Sequence, residues 1–144
     1  MTGKHMLLIA VSIVMLAVAL APACSSGTTS RPLEGTTWML QSFGQPGNLK
    51  SVLKDAEISA SFDAGKRQVS GSGGVNRYFA GYDLKGNRLS ISGQLASTKM
   101  AGPPPLMDQE QEYFTLLQAA ESYSIKGDKL TIASGSNVLI FTAK

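Results

Sequence analysis

The sequence predicts an α+β fold in which a small antiparallel sheet of seven or eight short strands curls into an open barrel and is covered by one amphipathic helix. Two observations predict it. From Gly35 onward, apolar and polar residues alternate and turn residues recur at short intervals, which is typical of strands. Residues 106–120 instead place apolar side chains three and four residues apart, which is the helical period. The length of 144 residues suits one such domain.

The N-terminal segment has the three-part pattern of a secretory signal peptide. A short region containing Lys4 is followed by an apolar run over residues 6–21 and then by Ala21-Pro22-Ala23. The sequence therefore predicts that residues 1–23 are removed and that the product is exported. A run of this length lies at the short limit for spanning about 30 Å of hydrocarbon, so an uncleaved helical anchor stays an alternative.

Cys24 follows this leader directly and is the only cysteine of the chain. The segment resembles a lipobox, the signal of bacterial-type lipoproteins, although Leu20 stands one position further from the cysteine than in the usual pattern. The resemblance implies a lipid on Cys24 that holds the protein to an envelope membrane. Simple secretion with a free thiol is the other alternative. Residues 24–33 are rich in Ser, Thr and Gly and are predicted to be a flexible tether, and residues 34–144 the folded domain.

The strands are predicted in order along the folded part. Residues 36–43 open the sheet and place Trp38 and Leu40 on one side. Residues 57–62 alternate most clearly, and their apolar face consists of Ile58, Ala60 and Phe62. Short turns containing Gly then predict four hairpins, at residues 63–66, 85–87, 126–128 and 134–136.

The helix is predicted over residues 106–120, after the stiff lead-in Gly102-Pro103-Pro104-Pro105. Its inward stripe consists of Leu106, Glu110, Phe114, Leu117 and Ala120. The acidic residues Asp108, Glu110 and Glu112 place negative charge near the positive end of the helix dipole. Because residues two apart on a helix point in different directions, these carboxylates are interpreted as solvated charge and not as a catalytic pair.

Composition excludes several kinds of chemistry. The only histidine, His5, lies in the predicted leader, so the mature chain has no imidazole for a Ser-His-Asp or Cys-His nucleophile system or for a zinc site. A single cysteine permits no intrachain disulfide. The formal net charge of +3 is too small to indicate nucleic-acid binding. We expect a monomer without metal or cofactor that is not an enzyme.

Five segments, in the family's order, resemble the META domain family, to which the heat-inducible HslJ-type lipoproteins belong. They are residues 33–38, the glycine-rich stretch 71–82, residues 97–101, the helix at 107–117 and residues 130–132. The resemblance implies a structural or binding role for the family-motif residues Gly74, Asn76, Arg77, Tyr78, Thr98 and Met100.

The same resemblance also implies a function, and the sequence departs from the family pattern at two cysteine positions. It implies envelope localisation, an unidentified envelope protein as partner, a part in stress tolerance or secretion-related assembly, and no established catalysis. The family often has cysteines at two positions that are here Val75 and Gly102. If the two cysteines normally form a disulfide across the sheet, a protein that lacks one would be expected to lack both, as here. Their absence argues against a redox role.

The main prediction is thus a membrane-tethered, non-catalytic interaction or stress-protective module, and three other interpretations stay open. The domain would carry an acyl chain or another apolar ligand between sheet and helix. Ser51 and Lys54 match the S-x-x-K pattern of Ser/Lys acyl-transfer enzymes, which would make the protein a small hydrolase. A basic-aromatic patch for an anionic partner such as lipid headgroups would consist of Arg67, Arg77, Arg88, Tyr78 and Tyr82.

Overall fold

A computed structural model describes residues 29–144 of the protein, and the predicted leader and Cys24 lie outside this range. The described residues form nine strands and one helix. Their bounds are β1 (Thr37–Gln45), β2 (Asn48–Ser51), β3 (Ser59–Asp63), β4 (Gln68–Ser72), β5 (Arg77–Lys85), β6 (Arg88–Ser97), α1 (Pro104–Gln118), β7 (Ser122–Lys126), β8 (Lys129–Ser134) and β9 (Asn137–Ala143).

The strands form one antiparallel sheet that closes on itself. The order is β2-β1-β3-β4-β5-β6-β7-β8-β9, and β1 also pairs with β9 over its length. Eight strands therefore form a ring, while β2 pairs only with the second half of β1. The ring is irregular, since β6 and β7 share the single pair Arg88–Ser122. The predicted α+β class with a curled sheet and one helix is confirmed, with nine strands in place of seven or eight.

The unpredicted strand is β2, whose four residues are all exposed and show no apolar alternation. It is held by main-chain pairing with Ser42 to Gln45 alone. Periodicity detects a strand through its buried face. A strand without a buried face leaves no such signal.

The antiparallel order gives the ring two distinct ends. One end, here called the tether end, holds the start of β1 and the end of β9, because Trp38 pairs with Ala143. Since successive turns of an antiparallel sheet alternate between its two ends, the turns after β3, β5 and β7 lie at the tether end as well. The opposite end, here called the motif end, holds the connection between β4 and β5 and the turn between β8 and β9. All four predicted hairpins are present.

The helix α1 begins at Pro104, two residues before the predicted start, and ends at Gln118. Proline is accepted in this first turn because the missing amide would have no helical partner. The Tyr113 ring contacts Phe141 of β9, and the Phe114 ring contacts Tyr78 of β5. Since β5 and β9 lie on opposite sides of the ring, the helix spans it. Within residues 29–144, no helix is long and apolar enough to cross a bilayer.

The interior is one continuous apolar core. The predicted inward residues of β1 and β3 are buried, and the Phe62 ring packs edge-on against Tyr82 with ring centroids 5.2 Å apart. A cavity for an acyl chain between sheet and helix would be lined by the side chains of the core. These side chains are packed against one another, and each is at most 9% exposed: Trp38, Leu40, Ile58, Phe62, Phe114 and Leu117. This packing favours a filled core over a ligand-carrying one.

Residues 30–33, which the sequence assigned to the tether, contact the domain. Leu33 is buried, and its carbonyl accepts a hydrogen bond from the Trp38 indole at 3.0 Å. The Arg31 amide donates to the Gly127 carbonyl at 3.0 Å, and its guanidinium lies 3.0 Å from Asp128 Oδ1. The chain therefore reaches the domain along the turn between β7 and β8.

Candidate functional site

The glycine-rich stretch is the connection between β4 and β5 at the motif end. Ser72 and Arg77 are paired across the two strands, and the Gly73 amide donates to the Asn76 carbonyl at 2.7 Å. Gly74 has a φ of +113°, a conformation that side chains with a Cβ rarely adopt. The turn directs the Asn76 side chain inward, where it is 3% exposed.

The Asn76 side-chain amide is fully hydrogen-bonded. Its Nδ2 donates to Glu110 Oε1 at 2.7 Å and to the Met100 carbonyl at 3.2 Å. Its Oδ1 accepts from the Thr98 hydroxyl and from the Met100 amide, both at 2.7 Å. An amide has two donor hydrogens and two acceptor positions, so no capacity is left over.

The Glu110 carboxylate completes this network from the helix. It is 4% exposed, and Oε2 accepts from the Val75 amide at 2.9 Å and the Asn76 amide at 2.5 Å. The interpretation of Glu110 as solvated helix charge is therefore wrong. A buried carboxylate is stable only where donors replace its water, and three N–H groups of the β4–β5 connection do so here.

The family-motif residues divide into three groups in the structure. Asn76, Thr98 and the Met100 main chain join the network with Glu110, and Gly74 shapes the turn that supports it. The Arg77 amide donates to the Thr98 hydroxyl at 3.2 Å and the Arg77 carbonyl accepts from the Thr98 amide at 3.0 Å, while the Arg77 side chain is exposed. Tyr78 points to the opposite face of β5 and lies in the core.

Tyr78 and Tyr113 form a buried pair of phenols. Their hydroxyl oxygens are 2.7 Å apart, and the Tyr78 hydroxyl donates to the Ser59 carbonyl at 2.9 Å. Tyr113 is therefore the donor to Tyr78. Burial raises the pKa of both phenols above the ordinary value near 10, because the interior disfavours the phenolate.

This shift predicts a loss of stability in alkali. Above about pH 10 the unfolded chain loses phenolic protons that the folded chain keeps, so the free energy of unfolding falls by up to about 1.4 kcal/mol per pH unit for each group. Urea unfolding between about pH 9 and about pH 11 measures the slope. Tyr113→Phe should give a shallower slope than the wild type; equal slopes would contradict the assignment.

Gly73 is where the helix packs directly on the backbone. A Cβ there would lie 2.5 Å from Phe114 Cζ and 2.8 Å from Glu110 Cγ. The glycine thus lets the helix approach closely enough for Glu110 to reach Val75 and Asn76.

Gly73→Ala is expected to lower the free energy of unfolding by about 1–3 kcal/mol, because the methyl group overlaps the Phe114 ring. Urea denaturation measures the loss. In a Phe114→Leu background the same change should cost less, since the smaller side chain leaves room. Additive costs in the double variant would show that the overlap is not the cause.

Val75 and Gly102, the two positions where the family often has cysteine, are in contact. A Cβ built on Gly102 would lie 3.5 Å from the Val75 Cβ and 2.9 Å from each of its methyl carbons. Cβ atoms of disulfide-bonded cysteines are about 3.5–4.5 Å apart. The valine methyl groups occupy the space that a residue larger than glycine at position 102 would need.

The other candidate residues do not form one site. The side chains of Ser51 and Lys54 are both exposed. The structure contradicts the alternative of a basic-aromatic patch: its two tyrosines are buried, Arg67 and Arg88 lie at the tether end, and Arg77 lies at the motif end. Within residues 29–144, no cluster of three or more His, Cys, Asp or Glu side chains is placed to hold a metal ion.

Two large apolar side chains are exposed beside the buried network. Met100 is 56% exposed and borders a depression of about 330 Å³ that also touches Met107 and Phe114. Phe79 is 52% exposed on the outer face of β5, between Ser70 of β4 and Ala96 of β6. Asn76 and Glu110 also line the depression beside Met100, but they are almost fully buried, whereas Met100 and Phe79 are accessible to a partner.

The network was only partly predictable from the sequence. The family resemblance points to Asn76, Thr98 and Met100, whereas helical spacing places Glu110 on the inward stripe of the helix without indicating a polar partner for it. The signal that could have identified it is an acidic residue on an apolar stripe, which requires a polar partner once buried.

The chain matches one protein family and is similar to solved structures, including two determined by NMR. The model of the META domain matches residues 31–144. An NMR structure of a protein from Burkholderia xenovorans is similar over 99% of both chains, with 25% identity and a TM-score of 0.67. A second NMR structure matches 74% of this chain and 87% of its own, with 24% identity and a TM-score of 0.56, which supports the fold alone. No curated protein matches the chain.

Proposed function

The chain belongs to the META domain family, and on that premise we propose that it acts as a membrane-tethered, non-catalytic interaction module of the cell envelope with a stress-protective role. The observation that carries this proposal is that polar groups of the motif are hydrogen-bonded within the protein. The amide of Asn76 and the carboxylate of Glu110 are taken up by hydrogen bonds within the protein. Residues engaged in this way hold a surface in place and are not available to a substrate.

The exposed aromatic ring of Phe79 supports the interaction role. Its direct cross-strand neighbours, Ser70 and Ala96, are small, and a depression of about 360 Å³ lies between Phe79, Gln68, Arg77 and Thr98. Aromatic residues, phenylalanine among them, are enriched in protein–protein interfaces relative to the rest of a protein surface. We propose that an envelope protein contacts the domain here.

A photoreactive amino acid at position 79 tests the contact in intact cells. We expect it to crosslink one defined protein, while the same group at Thr142, an exposed position of β9 away from Phe79, does not. If position 79 yields no defined product, or the same products as position 142, the interaction role is wrong. Loss of the gene should also lower survival after heat; unchanged survival would remove the stress-protective part.

The leader and Cys24 support the tether, and the intact mass of the protein purified from membranes tests it. We expect residues 1–23 to be absent and Cys24 to carry acyl chains. At about 0.8 kcal/mol per buried methylene, two or more chains hold a protein to a bilayer almost permanently. A mass that includes the leader, or a free thiol at Cys24, would contradict lipid anchoring.

A further inference from the structure

The tether end of the ring carries most of the positive charge of the domain. Each of its three turns has two basic residues, and the docked segment before β1 and the C-terminus add one each. The eight residues are Arg31, Lys66, Arg67, Lys85, Arg88, Lys126, Lys129 and Lys144. The rest of the described domain has four basic residues, Lys50, Lys54, Arg77 and Lys99.

The acidic residues do not share this asymmetry. Five are near the tether end, namely Glu34, Asp63, Asp83, Glu121 and Asp128, and five are elsewhere. Most of the first five are already engaged: Glu34 accepts from the Tyr82 hydroxyl, Asp63 accepts from the Lys66 amide, and Asp128 lies 3.0 Å from Arg31. The side chains of the tether end therefore sum to a net positive charge, and those of the remainder to a slightly negative one.

The same end is where the chain leaves toward Cys24. Ser30 hydrogen-bonds to the turn between β7 and β8 through the Ile125 carbonyl and the Gly127 amide. Cys24 precedes Ser30 by six residues, which span at most about 20 Å when fully extended. If Cys24 is in the bilayer, as the proposed function requires, this connection lets the tether end reach the membrane surface but does not by itself fix which end of the domain faces it.

Three of the basic residues of the tether end line one groove. It has a volume of about 740 Å³ and lies between the turn after β5 and the segment that follows the helix. Arg67, Lys85 and Arg88 line it together with Asp83 and Glu121. Arg67 is held over it in a left-handed conformation, with a φ of +52°, and its guanidinium is 3.8 Å from Asp83.

We propose that the tether end is a docking surface for anionic phospholipid headgroups, so that the lipid-anchored domain stands on the membrane with this end down and the motif end and Phe79 directed away from it. The inference rests on the proposed lipid anchor at Cys24. Two observations carry it: the charge is complementary to an anionic leaflet, and the short connection to Cys24 begins at the same end. The docking would present the contact site around Phe79 to proteins of the envelope.

The test uses the lipidated full protein reconstituted in vesicles, with a fluorophore on a new cysteine at Asn87 or at Ser136. Asn87 lies in a turn of the tether end and Ser136 in a turn of the motif end, and both are exposed. Nitroxide lipids labelled at the headgroup quench fluorophores near the surface. With about 30% phosphatidylglycerol in phosphatidylcholine, we expect Asn87 to be quenched at least about twofold more than Ser136.

Charge reversal separates lipid recognition from tether geometry. Lys85→Glu with Arg88→Glu should abolish the difference between the two labels, and so should high salt, because it screens exposed charges. Lys54→Glu with Lys99→Glu makes the same change in net charge elsewhere and should leave the difference intact. Both residues are exposed, so the control variant should fold.

The outcomes distinguish this proposal from the anchor it rests on. A mass without acyl chains on Cys24 refutes the anchor. If Cys24 carries lipid but both labels are quenched equally, the docking surface is refuted and the anchor stands. If Asn87 is quenched more but equally on pure phosphatidylcholine, the orientation follows from the tether alone and recognition of anionic lipid is refuted.

Discussion

Glu110→Ala should destabilise the fold strongly, lowering the free energy of unfolding by about 3–5 kcal/mol. The change removes the acceptor for three N–H groups, the amides of Val75 and Asn76 and the Asn76 side chain. Each buried donor left without a partner costs about 1–3 kcal/mol. Equilibrium urea unfolding, followed by tryptophan fluorescence of Trp38, measures the loss.

Two further variants test whether the loss of stability comes from the buried hydrogen-bond network. Glu112→Ala, on the same helix, removes an exposed ion pair with Lys50 at 2.7 Å and should cost less than about 1 kcal/mol. Glu110→Gln keeps the volume but turns one acceptor into a donor, so about 1–3 kcal/mol is expected. If Glu110→Ala costs no more than Glu112→Ala, the buried network contributes little to stability.

The second large effect is an increase in the free energy of unfolding. Val75→Cys with Gly102→Cys should form a disulfide under oxidising conditions, because the Cβ positions are 3.5 Å apart and Gly102 has no positive φ. The bond closes a loop of about 28 residues, for which the chain-entropy model gives about 3.5 kcal/mol of stabilisation. Thiol titration confirms the bond, and urea unfolding with and without reductant measures the gain.

Val75→Ala with Gly102→Ala is the control, since it removes the valine methyl groups and adds a Cβ at position 102 without allowing a bond. It should fold with at most a small change in stability and should not respond to reductant. Val75→Cys alone should likewise show no response. Free thiols at positions 75 and 102 of the oxidised double variant would show that the two segments are further apart than the structure has them.

Glu110 shows where prediction from sequence succeeded and where it ended. Helical spacing put it on the inward stripe, and the structure buries it there. The same spacing contains no information on the group it meets, because Asn76 lies 34 residues earlier in the chain. Without that partner, an acidic side chain is most simply interpreted as solvated. The sequence left the alternative of a basic-aromatic patch open for a related reason, since burial of Tyr78 and Tyr82 depends on the ring closing around them.

By itself the sequence determined the α+β class, the four hairpins, the inward faces of β1 and β3, and the helix to within two residues of its start. These features depend on interactions between residues a few positions apart, and their periods and turn residues are visible in the chain. Only the tertiary structure decided the pairing of β1 with β9, the bonding of Glu110 to the β4–β5 connection, the contact of Val75 with Gly102 and the gathering of basic turns at one end. Each joins segments tens of residues apart, and their proximity is set by how the whole ring closes and not by any local pattern.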